Sequence, residues 1–195
     1  MTEQELLIDC LRRLNAAQIP YMVVGSMASN FGGAPRSTHD IDFVVQFQLP
    51  DVPKFMKAFE EQFFIQEHSV RAALRPPYQF NALDNRSALK VDFFSVPQDE
   101  YDRVRFERRL SIRLFGEAAF IARPEDVILY KLRWYGISPL DRQLSDSAGI
   151  LAVSQSAIDF PYLSHWAERI GVASVLDKLL CDERNTSFSK HDSPA

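Results

Sequence analysis

The chain has 195 residues, 46% of them hydrophobic, and a formal net charge of −4. That length suits one domain, or one with a small appendage, and the composition supports a sizeable core and excludes wholesale disorder. The mild acidity excludes a general nucleic-acid clamp, which carries a basic excess, although Arg103 to Arg113 offers a local basic stretch.

Thr2 and Glu5 have capping-box spacing, and Leu6, Leu7, Cys10, Leu11 and Leu14 follow at helical spacing, so a first helix is expected to about Ala17. Pro20 ends it. Tyr21 to Val24 reads as a short buried strand running into Gly25-Ser26, then a short helix to about Phe31, broken by Gly32-Gly33-Ala34-Pro35. A second strand is expected from about Asp40 to Phe47. Pro50 and Pro53 open a helix with Phe55, Met56, Phe59 and Phe63 as its apolar positions. Further strands are expected at Tyr78–Leu83, Leu89–Ser95, Arg108–Phe115 and Ala119–Ile121, with Gly116-Glu117 as a turn.

The character changes at Pro124, which opens a helix with Glu125 and Asp126 in its first turn and Gly136 as its stop. Another helix starts at Ser138-Pro139. A third starts at Asp159 or Pro161 and ends at Gly171, and a last short one covers about Ser174 to Leu180. Trp134, Trp166, Phe160 and Tyr162 read as helical core. The division expected is an α/β core over 1–122, a helical subdomain over 123–181 and a disordered polar tail over 182–195.

Cys10 and Cys181 lack metal-ligand spacing and read as buried or idle thiols of a reducing compartment. The stretch Met1-Thr2-Glu3-Gln4-Glu5 shows no signal-peptide core, and no apolar run reaches membrane-spanning length. The expectation is a cytoplasmic protein with no membrane partner.

The chemistry concentrates between Gly25 and Asp42, with Asp92 downstream. Asp40 and Asp42 are two residues apart at the start of a strand, so alternation puts both side chains on one face and Ile41 and Phe43 on the other. Adjacent carboxylates repel, and a structural strand has no use for that. A hard divalent cation does, because it takes oxygen ligands and offsets the charge. Asp92 interrupts the otherwise apolar Val91-Asp92-Phe93-Phe94. It is either exposed at a sheet edge or partnered; if its strand neighbours that of Asp42, three carboxylates converge. Two Mg²⁺ ions about 3.5–4 Å apart would then serve both the attacking and the leaving oxygen. Gly25 permits close backbone approach to a ligand, and a helix start after it offers N–H groups to a phosphate, with the Ser26 hydroxyl beside them.

The ordered set Val24-Gly25-Ser26-Met27-Ala28, Arg36-Ser37-Thr38-His39-Asp40-Ile41-Asp42 and Val91-Asp92-Phe93 resembles the polymerase-beta type nucleotidyltransferase superfamily. With Pro124-Glu125-Asp126-Val127-Ile128-Leu129-Tyr130-Lys131 added, the pattern is similar to small bacterial proteins that include the abortive-infection type E toxins. It departs from them at Gly25-Ser26, where those relatives often carry Gly-Gly. The resemblance implies a nucleotidyltransferase core, a mixed twisted sheet flanked by helices, with a C-terminal helical subdomain. It implies Asp40, Asp42 and Asp92 as catalytic metal ligands for Mg²⁺ or Mn²⁺, and Asp92 alternatively as the base. Gly25 and Ser26 would hold a nucleoside triphosphate, and Lys131 would reach a phosphate oxygen.

Arg36 either contacts substrate phosphate or neutralises the acidic cluster. Lys131 alternatively snorkels to solvent. Arg142 and Asp146 stand at i,i+4 as an ordinary surface ion pair. His39 should face away from the two Asp residues. The implied activity is transfer of a nucleoside monophosphate to an acceptor hydroxyl on tRNA, a protein or a small molecule, as a free enzyme or as a toxin held by an antitoxin. The alternative is a binding module of the same fold with weak or lost turnover.

Overall fold

The computed structural model describes residues 1–34, 40–97 and 99–189, without the side chains of 183–189. The chain divides into two compact units, Met1–Ala28 with Ser37–Arg123, and Ser29–Arg36 with Pro124–Ala195.

The first unit opens with α1 (Glu3–Ala16), started by the Thr2–Glu5 capping box. Its buried stripe is Leu6, Leu7, Cys10, Leu11 and Leu14, as the spacing predicts. Then come β1 (Tyr21–Val23), α2 (Gly25–Gly32), whose later residues fall in the second unit, and β2 (Ile41–Val45). A 3-10 turn at Leu49–Asp51 leads into α3 (Val52–Phe59). The strands β3 (Phe63–Phe64), β4 (Gln79–Asp84), β5 (Lys90–Ser95), β6 (Leu110–Leu114) and β7 (Glu117–Ile121) complete the sheet. Two helices intervene, α4 (Glu67–Ala72) and α5 (Glu100–Glu107). The sheet is mixed and seven-stranded, in the order β3-β4-β5-β2-β1-β7-β6. β2 pairs with β5 and β1 with β7 in parallel, and every other pairing is antiparallel.

Three local expectations change in this unit. Phe63 belongs to β3, not to the helix of Phe55 and Phe59, because the helix stops at Phe59 and the chain turns through Glu60 to Gln62. The short helices α4 and α5 carry too few apolar positions to show a helical period. The stretch Arg103 to Arg113 is no uniform basic patch. Arg105 is buried and paired with buried Asp102 at 2.5 Å, and Arg109 lies over the rings of Phe106 and Phe120.

One face of the sheet buries an aromatic cluster. Phe93 stacks on Phe43 at 5.6 Å and on Phe80 at 5.2 Å, and meets Phe55 and Phe59 edge-on. Such pairs add about 0.5–1.5 kcal/mol each beyond area burial. The far end of the β4–β5 hairpin is fastened to α1. Asp84, fully buried, accepts from Arg86 Nε at 2.7 Å, Ser87 N at 2.9 Å and Ser87 Oγ at 2.6 Å. Arg86 also donates to Asp9 of α1 at 2.7 Å, and Arg13 donates to the same carboxylate oxygen at 3.1 Å. The guanidinium groups of Arg13 and Arg86 both lie over the Phe63 ring.

The second unit is helical. It contains α6 (Pro124–Ile137), α7 (Asp141–Ser154), α8 (Phe160–Arg169) and α9 (Ala173–Ser189), with α6 packed on α7 and α8, and α9 packed on α7 and α8. Glu125 and Asp126 are buried in the first turn of α6. Glu125 accepts from Asp159 N at 2.8 Å, and the Tyr162 hydroxyl donates to Asp126 at 2.7 Å, so both acids brace the capped start of α8. Helix α6 ends at Ile137, one residue past the Gly136 at which its stop was expected. Helix α9 runs to Ser189, past Leu180, where the last helix was expected to end; no Pro or Gly interrupts that stretch. Trp166 is buried but Trp134 is exposed. Residues 29–34 join this unit, and the Ser154 hydroxyl donates to the Gly32 carbonyl there. Among the described residues, no helix is long and apolar enough to cross a membrane.

Replacing Asp84 with Ala should cost about 2–4 kcal/mol near pH 7, since it leaves Arg86 and Ser87 without their buried acceptor. Burial pushes the Asp84 carboxyl up, but hydrogen bonds from Ser87 and Arg86 outweigh it and hold the group below the usual carboxylate range. Its contribution is therefore present above the unfolded value and fades as pH falls through the folded one. Urea unfolding of both proteins across pH should show the gap closing in acid; a gap that widens there contradicts this.

Candidate active site

Parallel pairing of β2 and β5 sets Asp42 directly beside Asp92, and antiparallel pairing of β4 and β5 sets Asn81 beside Asp92. Adjacent strands lie about 4.8 Å apart, so the two carboxylates share one face at neighbouring positions. Phe43 and Phe93 fix which face that is. They point into the aromatic cluster, so alternation leaves Asp42 and Asp92 on the opposite side. Asp42 is half-buried, and the Asp92 side chain is 13% exposed. Asp40 immediately precedes β2 and is exposed.

Lys90 gathers the three carboxylates electrostatically. Its Nζ lies 2.8 Å from Asp92 Oδ2. That hydrogen bond, against some desolvation and helped by the charges of Asp92, Asp40 and Asp42, holds the ammonium above the usual lysine value. The sequence reading missed Lys90 and Asn81. The signal for Lys90 was present: it stands two residues before Asp92 on a strand, which puts both on one face.

The Gly25 turn belongs to the same place. Val24 N donates to the Asp42 carbonyl at 3.0 Å, which carries β1 one step further along β2. Gly25 has φ +60°, and a Cβ built there would meet Asp42 Oδ2 at 2.0 Å. The missing side chain is thus the space that the Asp42 carboxylate occupies. Ser26 follows in the first turn of α2 and is 5% exposed.

Arg36 falls outside the described residues. Lys131 is in the helical unit, where its Nζ donates to Asp146 Oδ2 at 2.7 Å with both side chains nearly buried. Asp146 therefore pairs across two helices, and Arg142 is exposed.

Among the described residues, no group of three or more His, Cys, Asp or Glu stands ready to hold a metal ion. The narrower pair nevertheless fits one. Asp42 and Asp92 supply hard carboxylate oxygens, the donor class that Mg²⁺ and Mn²⁺ take. Asp92 Oδ1 is buried and accepts no hydrogen bond, an arrangement that costs stability unless something completes it.

Gly25→Ala should lower stability by about 1–3 kcal/mol, from the left-handed backbone and the displaced carboxylate. It should also abolish the rise in melting temperature that Mg²⁺ with a nucleoside triphosphate gives the wild type. A mutant that melts lower yet keeps the whole rise would separate this turn from the site.

No family model and no curated protein matches the chain. Solved structures do. The antibiotic-resistance factor ANT(2'')-Ia, in solution, aligns at 12% identity over 96% of this chain and 95% of its own, with a TM-score of 0.57. A nucleotidyltransferase-like protein from Paracoccidioides brasiliensis aligns at 16% identity over 77% of this chain and 75% of its own, TM-score 0.55. The lincosamide antibiotic adenylyltransferase LnuA aligns at 11% identity over 78% of this chain and 98% of its own, TM-score 0.53. At these identities the likeness is one of architecture: the chain has the nucleotidyltransferase fold, a mixed seven-stranded sheet flanked by helices.

Proposed function

We propose that the protein is a cytoplasmic, metal-dependent nucleotidyltransferase that moves a nucleoside monophosphate from a nucleoside triphosphate to an acceptor hydroxyl. The observation that carries this reading is the alignment of Asp42 with Asp92 on adjacent parallel strands beside the Gly25 turn. Asp40, Asp42 and Asp92 would hold Mg²⁺ or Mn²⁺, which would neutralise phosphate charge and acidify the acceptor hydroxyl.

The residues themselves do the following. Gly25, lacking a Cβ, lets the backbone approach the triphosphate, and Ser26 sits in the helix start beside it. Asp92 would either help hold the metal that acidifies the acceptor hydroxyl or itself take that proton. The acceptor oxygen then bonds to the α-phosphorus. The bond from that phosphorus to the bridging oxygen breaks, and pyrophosphate leaves with the electron pair. Arg36 and Lys131 would pair with phosphate oxygens, which for Lys131 requires release from Asp146.

A small-molecule hydroxyl is the acceptor we favour. ANT(2'')-Ia is also known in complex with adenylyl-2''-tobramycin, and LnuA with lincomycin bound, and both span nearly their whole length on this chain's fold. An RNA end or a protein hydroxyl, and with the latter a toxin held by an antitoxin, are the competing acceptors. Incubation with α-labelled triphosphates and each acceptor class separates them by which product carries the label.

Binding of triphosphate should require divalent metal, because clustered carboxylates repel a bare polyanion; equal affinity with and without EDTA would sink the metal bridge. Asp42→Asn should abolish transfer while leaving the metal-free protein as stable as wild type or more so, since it removes one of several like charges. Mg²⁺ plus triphosphate should stabilise the wild type by about 2.7 kcal/mol at a hundredfold excess over Kd, and the mutant little. A mutant that melts well below wild type in EDTA would mark Asp42 as a structural hydrogen-bonding residue instead.

A further inference from the structure

We propose that Lys90 is a tethered counter-cation of the site: it holds Asp92 in the metal-free protein and competes with the divalent cation for that carboxylate. This rests on the metal-dependent reading above and names a positioning residue within it.

Lys90 and Asp92 are i,i+2 on β5, on the face that also carries Asp42. The Lys90 side chain is 54% exposed and the Asp92 side chain 13%, so the ammonium reaches from solvent onto a largely covered carboxylate. An isolated pair with one exposed partner would merit little attention. This one is not isolated, because Asp40 and Asp42 also act on Lys90. Its cross-strand neighbour on β4 is Leu83, which brings no charge of its own.

The pair is also incomplete. Lys90 satisfies Oδ2 of Asp92, while Oδ1 stays buried without a hydrogen bond. Asp92 is thus restrained, not saturated. A monovalent ammonium on a flexible four-carbon stem holds one oxygen and can withdraw into water with little loss of packing. A divalent cation bound between Asp42 and Asp92 would meet an ammonium 2.8 Å from one of its ligands. Like charges so close exclude one another, so metal binding must displace Lys90. In the empty site the same ammonium relieves the repulsion between Asp42 and Asp92. Lys90 therefore acts with opposite sign in the two states, favouring the metal-free fold and opposing the metal.

The test is calorimetric titration of the full chain with Mn²⁺ alone, together with melts in EDTA, for wild type, Lys90→Met, Lys90→Arg and Asp42→Asn. Lys90→Met should melt below wild type in EDTA yet bind Mn²⁺ about five- to tenfold more tightly. Lys90→Arg keeps the charge and should restore both values toward wild type. If wild type binds Mn²⁺ and Lys90→Met binds it equally or more weakly, the competition is refuted while the metal site stands. If wild type binds no more Mn²⁺ than Asp42→Asn, the metal-dependent reading falls, and the role of Lys90 falls with it.

Discussion

Two carboxylates stand side by side on adjacent parallel strands, Asp42 on β2 and Asp92 on β5, and much of the first unit bears on keeping them there. The arrangement is unfavourable alone, since like charges at neighbouring sheet positions destabilise each other. It persists because the other face of the same strands is strongly committed. Phe43 and Phe93 are fully buried and stacked, and Phe55, Phe59 and Phe80 close around Phe93. A one-residue slip would bring these rings to the carboxylate face and the carboxylates into the core. The aromatic cluster therefore specifies the position of charge on the face it never touches.

Register along β5 has a second determinant at the hairpin end. Asp84 binds Arg86 and Ser87 within the turn, and Arg86 reaches Asp9 on α1. The first helix thus fastens the hairpin whose second strand carries Lys90 and Asp92. At the opposite border of the carboxylate pair, Gly25 makes room for Asp42 by having no side chain. The site is bounded on one side by an added cation and on the other by a subtracted methyl group.

Much of this was legible in the sequence, for definable reasons. The face of Asp42 was legible from strand alternation, because Ile41 and Phe43 on either side of it are buried. The Gly25-Ser26 turn was legible from its place between a buried strand and a short helix. The pairing of β2 with β5 was not, because they are separated by some forty residues and nothing local marks them as neighbours; only the isolated Asp92 hinted at a partner. Lys90 was passed over because an exposed lysine at a strand end is ordinary until the next strand is known. Lys131 was expected to reach a phosphate oxygen or to snorkel to solvent, and its nearly buried ammonium, paired with Asp146, does not snorkel. Its partner Asp146 was assigned to Arg142 because i,i+4 spacing is visible in sequence and a contact between α6 and α7 is not. The two-residue β3 and the six-residue α4 are too short for any period to declare itself.

Charge balance explains why the proposed chemistry asks for an added cation. Among the described residues, Lys90 is engaged with Asp92 and feels the charges of Asp40 and Asp42. Lys131 pairs with Asp146 within the helical unit. The chain as a whole is acidic, so its long-range field does not draw a triphosphate in either. An anionic nucleotide arriving bare would add like charge beside these carboxylates. Arriving with divalent metal, it would bring countercharge to the carboxylates and a partner to Asp92 Oδ1, which is buried without a hydrogen bond. On the metal-dependent reading, clustered carboxylates would favour a metal-bound polyanion over a free one.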